Sequence, residues 1–107
     1  MISKENDTLQ NVGISSEDLE SIVSVIKKNK KIKKIILFGS RAKGNYKKGS
    51  DIDIAVVADS LSFDELNKIR VDIDELLLPY HIDIIDLNKI TTIKLKGHIL
   101  RVGQMID

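Results

Sequence analysis

The stretch that decides the fold is residues 35–57, which read IILFGSRAKGNYKKGSDIDIAVV. It begins with a short apolar run that contains β-branched side chains and is too short for a helix, so it predicts a buried strand. It ends in a second strand pattern, with aspartates at positions 51 and 53. A polar, glycine-containing segment joins the two. We therefore expect two strands joined by a turn, with acidic side chains at the start of the second strand.

Outward from this stretch, helix and strand patterns alternate. The spacing of Ser62 and Glu65 is that of a capping box, which predicts the start of a helix. The predicted helices run from Ser15-Ser16 to about Asn29, over 62–77 and over 91–101, and the further predicted strands cover 82–87 and 104–106. This alternation is typical of an α/β layered domain.

The length of 107 residues corresponds to one small domain, with a radius of gyration of roughly 13 Å. The first residues are polar and show no pattern. We therefore expect a flexible N-terminal arm over residues 1–13 and one domain over residues 14–107.

The composition excludes several classes of protein. The net charge is +1 and aromatic residues make up 4%, which argues against direct nucleic-acid binding. The chain has no cysteine, so disulfides and thiolate metal sites are excluded. No apolar run approaches the roughly 20 residues that span a bilayer, and the first residues lack the apolar stretch of a signal peptide. The expectation is a soluble cytoplasmic protein with no membrane contact.

The aspartates of the second strand are the first candidate functional residues. Side chains alternate between the two faces of a strand, so Asp51 and Asp53 point the same way. Two carboxylates this close repel each other unless a cation lies between them. A divalent cation with oxygen ligands, such as magnesium, is the candidate. Asp83 becomes a third carboxylate if its strand is a neighbour of the second strand.

Three other ionisable residues near these strands are given structural roles. Asp86 lies three positions after Asp83, so parity puts it on the opposite face, at the strand end. His81 and His98 have no acidic or second-histidine partner at the spacing of metal ligands, so both are interpreted as structural.

The turn after the first strand has features of a phosphate site. Gly39 allows a sharp turn and a close approach of a ligand to the main chain. Residues 40–43 can start a short helix whose amides point at an anion. Arg41 adds a donor fork that suits phosphate. The loop is no Walker A motif, because Asn45-Tyr46 stands where that motif requires Lys-Ser/Thr.

Together, residues 39–44 (GSRAKG) and 50–53 (SDID) resemble the G-S-x-x-x-G…S-D-x-D signature of the polymerase-β-like nucleotidyltransferase superfamily. The small size is similar to its minimal, MNT-type branch, and Asp83 resembles that family's third carboxylate. The resemblance covers the chain from about Lys33 to the C-terminus. It implies an α/β (α+β) fold: a mixed sheet of three to four strands, with helices packed against it and the acids at one rim.

The resemblance also implies a site and a reaction. The reaction is in-line attack by a hydroxyl on the α-phosphate of a nucleoside triphosphate, ATP above all, with release of pyrophosphate. The implied residues are Gly39 and Ser40 for the terminal phosphates, and Asp51, Asp53 and Asp83 for catalysis and for two Mg²⁺ ions. Arg41 and Ser50 are added as candidate nucleotide contacts beside them; Arg41 occupies a variable basic position of the motif, and Ser50 can instead cap or orient the turn.

The resemblance further implies a partner. The usual partner of this branch is a helical HEPN-type protein, a ribonuclease toxin that the MNT protein neutralises as an antitoxin by adenylylating it. So short a chain leaves its nucleotide cleft open on one side, so we expect a homo- or hetero-oligomer. Three alternatives stay open: a non-catalytic nucleotide-binding antitoxin that acts by complex formation, a small-molecule (aminoglycoside-type) nucleotidyltransferase with a partner subunit, and a nucleotide-binding domain that has lost its activity.

Overall fold

A computed structural model describes residues 13–43 and 50–107. The predicted arm, apart from residue 13, lies outside these ranges. The elements in chain order are α1 (Ser16–Lys27), β1 (Ile32–Phe38), α2 (Ser40–Lys43), β2 (Ile52–Ala58), α3 (Phe63–Asp74), β3 (Ile82–Asp86), a 3₁₀ turn (Leu87–Lys89), α4 (Ile93–Val102) and β4 (Gln104–Met105).

The four strands form one mixed sheet in the order β3-β2-β1-β4. β1 is antiparallel to both β2 and β4, whereas β2 and β3 are parallel. This confirms the single α+β domain with a mixed sheet. The predicted last strand is confirmed as the short β4.

The sheet buries its two faces unequally. A large apolar cluster lies between one face and helices α1 and α3. Its β2 residues are Ile52, Ile54, Val56 and Ala58. A small cluster on the other face joins Ala55 of β2 to Ile99 of α4. Because side chains alternate along a strand, residues 51 and 53 share the face of Ala55. The candidate aspartates therefore lie on the face with the smaller apolar cluster.

Two of the three predicted helix starts are confirmed by cap hydrogen bonds, whereas α4 begins at Ile93 with no side-chain cap. The hydroxyl of Ser15 accepts from the Asp18 amide at 3.1 Å. The Ser62 hydroxyl accepts from the Glu65 amide at 3.1 Å, and a Glu65 carboxylate oxygen accepts from the Ser62 amide at 3.0 Å, which is a complete capping box.

The predicted end of the second helix is wrong. Leu77 was expected on the apolar face of that helix, but α3 ends at Asp74. Leu77 has a φ of 54° and its side chain is 88% exposed. The left-handed backbone at Leu77 cannot continue a right-handed helix, so its side chain turns away from the core.

No helix within residues 13–43 and 50–107 is long and apolar enough to cross a membrane.

Two residues of α3 test the amphipathic packing of this helix. Ile69 is 3% exposed, whereas Val71 is 54% exposed. Ile69→Ala should lower the free energy of unfolding by about 2–5 kcal/mol, because it leaves a cavity under the sheet. Val71→Ala should change it by less than about 0.5 kcal/mol. Urea unfolding followed by circular dichroism measures both, and equal losses would contradict this packing of α3.

Candidate active site

The pairing of β2 with β3 brings the acidic residues together. In the parallel register, Asp53 lies opposite Asp83. One step earlier, the Ile52 amide donates to the His81 carbonyl at 2.8 Å, which extends the ladder. This pairing brings Asp51 and His81 together at the start of the two strands. Since residues two apart share a face, these four side chains form a two-by-two array at one end of the sheet.

The array contains a histidine that the sequence analysis did not assign to the site. Nε2 of His81 lies 3.3 Å from Oδ1 of Asp83. The prediction that His81 has no acidic partner is therefore wrong. A sequence signal was available: His81 precedes Asp83 by two residues, as Asp51 precedes Asp53. This matching spacing brings His81 beside Asp51 only because the two strands are parallel neighbours.

Three of the four side chains of the array have donor atoms close enough to share one ion. One donor atom each from Asp51, His81 and Asp83 lie within 4.8 Å of one another, and all three residues are exposed. Asp53, paired with Asp83 in the sheet, is half-buried. The three carboxylates of the array are hard oxygen donors, the type that Mg²⁺ and Mn²⁺ prefer.

The charge of Asp53 is disfavoured in the protein alone. Partial burial raises the pKa of Asp53 above its ordinary value of 3.8, and the Asp83 and Asp51 carboxylates raise it further, while His81 acts in the opposite direction. A cation bound among these groups would reverse the effect of the neighbouring acids. The electrostatics of the array therefore fit a metal site.

Gly39 packs against the Asp53 carboxylate of the array. It follows Phe38, the β1 residue opposite Asp53, and has a φ of +80°. A Cβ atom at Gly39 would overlap the Asp53 carboxylate. Glycine is needed here both for its left-handed conformation and for the space that the carboxylate occupies.

A cleft of about 380 Å³ opens beside the array, and its lining includes Asp53, His81 and Asp83. This volume is within the range of small-molecule sites. A groove of about 420 Å³ between α1 and α3 is slightly larger. It lies on the opposite face and none of the array residues lines it, so the smaller cleft is the candidate active site.

Arg41 supports the loop end instead of facing the cleft. It is 3% exposed. Its Nε and Nη2 donate to the Ser50 carbonyl at 3.2 and 2.9 Å, and Nη1 donates to the Gly13 carbonyl at 3.3 Å. The guanidinium carbon also lies 5.4 Å from the centre of the Tyr80 ring. These contacts favour a structural role for Arg41, in place of the phosphate contact predicted from the sequence.

Asp86 is buried at the end of β3, and its carboxylate accepts a hydrogen bond from the Asn88 amide at 3.0 Å. This confirms its strand-end role.

The other candidate residues for the nucleotide lie around the loop between β1 and β2. Ser50 directly precedes Asp51, and its carbonyl is held by Arg41. Ser40 begins the short helix α2, as predicted. The phosphate contacts of Gly39, Ser40 and Ser50 stay predictions, and Gly44 lies outside the described residues.

Comparisons with known proteins agree with this geometry. The family model "Polymerase beta, Nucleotidyltransferase" matches residues 20–106. The "Probable protein adenylyltransferase MntA" of Haemophilus influenzae is 31% identical over 74 residues, which are 68% of this chain and 65% of the relative. The chain thus matches slightly less than two thirds of that relative's length.

Solved structures share the fold. A crystal structure of a toxin–antitoxin with AMP-PNP superposes with a TM-score of 0.70 at 27% identity, covering 83% of this chain and 72% of that one. A crystal structure of the MntA–HepT toxin–antitoxin gives a TM-score of 0.67 at 24% identity, covering 87% and 72%.

Gly39→Ala tests the close approach of the turn to Asp53. The left-handed φ alone should cost about 1–3 kcal/mol of stability, and the new methyl group should displace the Asp53 carboxylate and weaken binding of Mn²⁺. Thermal unfolding and Mn²⁺ titration measure the two effects.

Gly97→Ala is the matched control for this substitution. Gly97 is in α4, where an added Cβ meets only an Arg101 side-chain atom at 3.4 Å. This variant should gain roughly 0.5–1 kcal/mol, because alanine favours a helix interior over glycine. If Gly39→Ala were as stable as Gly97→Ala and bound Mn²⁺ normally, the proposed packing of Gly39 on Asp53 would be refuted.

Asp53→Asn tests the charge repulsion. The folded protein disfavours the Asp53 anion, so this variant should be more stable than the wild type in EDTA at pH 7. As the pH falls through the raised pKa of Asp53 towards 3.8, the wild-type carboxyl becomes protonated in the folded state first. The wild type then gains stability and the difference closes.

Urea unfolding at a series of pH values measures this difference. Asp59→Asn is the control, because Asp59 is 71% exposed in its ion pair with Lys33 and follows the opposite end of β2; it should change little. A less stable Asp53→Asn protein at pH 7 would contradict the repulsion.

Proposed function

Because the chain belongs to the polymerase β nucleotidyltransferase family, we propose that it transfers an adenylyl group from ATP to a hydroxyl of a partner protein. In this proposal the partner is a HEPN-type toxin, which the protein neutralises as its antitoxin. The observation that carries the proposal is the array of Asp51, Asp53 and Asp83 formed by the β2–β3 register. The relative named as a protein adenylyltransferase and the similar toxin–antitoxin with AMP-PNP support it.

In this proposal the three aspartates share a metal-binding role, and Asp83 has a second role in proton transfer. Asp51, Asp53 and Asp83 would hold two Mg²⁺ ions, which when bound supply charge stabilisation to the attacking and leaving oxygens. The acceptor oxygen forms a bond to the α-phosphorus while the bond to the β-phosphate oxygen breaks, which releases pyrophosphate. Asp83 would accept the proton of the attacking hydroxyl, since its side chain is 55% exposed and an acceptor can reach it.

The exposure of the array favours a macromolecular acceptor. The His81 side chain is 69% exposed and the Asp83 side chain 55% exposed. In the part of the chain that the structure describes, these groups face solvent at the end of the sheet. A side chain presented on the surface of another protein can reach them, and the same surface would form the missing wall of the cleft.

The nucleotide would lie between the aspartate array and the turn at Gly39. The turn directly follows the β1 end that lies opposite Asp53. We propose that the main chain at Gly39 and Ser40 contacts the β- and γ-phosphates, and that Arg41 acts indirectly, by holding Ser50 and so the start of β2. Catalysis then depends on positioning and charge, as expected of phosphoryl-transfer sites.

A second candidate function is a non-catalytic antitoxin that acts by complex formation. The exposed apolar side chains of α4 and β4 favour it, since Ile93, Leu100 and Met105 are 87%, 59% and 54% exposed. Such side chains can bury surface against a partner without any chemistry.

Labelled ATP separates the two candidates. The protein is incubated with α-labelled ATP, Mg²⁺ and the HEPN partner. The double variant Asp51→Asn/Asp53→Asn should lower labelling of the partner by roughly a hundredfold or more, because charge stabilisation at the α-phosphate is lost. Equal labelling by this variant and the wild type would refute the transfer reaction.

The matched control is Asp59→Asn/Asp72→Asn. Both aspartates form exposed or half-exposed ion pairs with lysines, away from the array, so this double variant should label the partner normally. If the Asp51→Asn/Asp53→Asn protein fails to label the toxin but still neutralises it, complex formation is the function.

A further inference from the structure

His81 is outside the signature that carries the proposed function, yet it occupies one corner of the array. We propose that His81 is a nitrogen ligand of the divalent cation held by Asp51 and Asp83, and that this ligand shifts the preference of the site from Mg²⁺ towards Mn²⁺. The inference rests on the proposed function only in placing a cation among these side chains.

The main chain fixes the position of His81. Its carbonyl accepts a hydrogen bond from the Ile52 amide at 2.8 Å, so the residue directly before β3 is already held against β2. Ile82 and Asp83 continue in register with Ile52 and Asp53. The face that His81 presents is therefore set by the same alternation that sets the face of Asp83.

The side-chain geometry allows His81 and the carboxylates to bind one ion. The His81, Asp51 and Asp83 donor atoms lie within 4.8 Å of one another. Ligand atoms on opposite sides of a Mg²⁺ ion are about 4 Å apart, given metal–ligand distances of about 2.1 Å, and the ligand shell of Mn²⁺ is of similar size. Small side-chain rotations would therefore bring the three donor atoms to binding distance of one ion, and the exposed His81 ring has room to rotate.

The chemistry of the donor set predicts the metal preference. Mg²⁺ takes oxygen ligands in a strict octahedron and usually binds one or two carboxylates with waters and phosphates. An imidazole nitrogen is a softer donor, which favours transition-metal ions over Mg²⁺. Mn²⁺ accepts both donor types. The Asp51 and Asp83 carboxylates together with the His81 imidazole should therefore bind Mn²⁺ more tightly than the two carboxylates alone.

Pulsed EPR of the Mn²⁺-loaded protein tests this ligand directly. A directly bound imidazole nitrogen gives ¹⁴N modulation of the Mn²⁺ electron spin echo. The chain has 2 histidines, and His98, on α4, is neither in the group of donor atoms nor in the lining of the cleft. The modulation should be present in the wild type and in His98→Gln, and absent in His81→Gln.

Metal titration gives the second readout. His81→Gln should weaken Mn²⁺ binding by roughly tenfold or more, the scale for loss of a side chain that supports a metal site. Mg²⁺ binding should change less, because the glutamine oxygen is an acceptable ligand for Mg²⁺. Circular dichroism of both variants verifies that they are folded.

The results distinguish this inference from the proposed function. A wild-type protein with no ¹⁴N modulation, or a His81→Gln protein that keeps it, overturns the ligand and leaves His81 as a hydrogen-bond partner of Asp83. If the modulation depends on His81 while the HEPN partner is not labelled, the ligand stands and the transfer reaction fails.

Discussion

The structure depends on the parallel pairing of β2 with β3, which places Asp53 directly opposite Asp83. The pairing gathers negative charge on one face of the sheet, where like charges repel. The other face of the same strands compensates, because Ile52, Ile54 and Val56 lie fully buried under α1 and α3. One alternating pattern thus stabilises the strand through one face and builds the site on the other.

Two residues around the glycine turn complete the site without contacting a reacting atom. Gly39 leaves the space that the Asp53 carboxylate fills. Arg41, buried in the next helical turn, donates twice to the Ser50 carbonyl just before Asp51. The turn and the acidic strand lie ten or so residues apart in sequence, and Arg41 joins their ends.

Much of the fold could be predicted from local patterns. The caps at Ser15 and Ser62 depend only on residues within one helical turn, and the shared face of Asp51 and Asp53 depends only on strand parity. The start of β1 at Ile32, three residues before the apolar run, could not be predicted, because exposed Lys33 and Lys34 interrupt its apolar pattern. The left-handed backbone conformation at Leu77 could not be predicted either, because leucine is a good helix former.

The site was predictable only in part, because local patterns do not show which strands pair. Parity identifies the residues that share a face, but which strands are neighbours is a long-range property. The sequence therefore indicates Asp83 only on condition that β3 lies beside β2. The same condition brings in His81, which local spacing assigned to a structural role. The burial of Arg41 depends on Gly13 and Tyr80, which are distant in sequence. Local patterns therefore could not predict that this side chain is buried.

If the β2–β3 register builds a divalent-cation site whose acidic groups destabilise the protein until an ion is bound, then Mg²⁺ should stabilise the folded protein. The most direct test is the free energy of unfolding of the wild-type protein as a function of Mg²⁺ concentration, without nucleotide. Binding to the folded state alone predicts a gain of about 2.7 kcal/mol when Mg²⁺ reaches one hundred times its Kd. A free energy of unfolding that is the same in EDTA and in saturating Mg²⁺ would contradict the account.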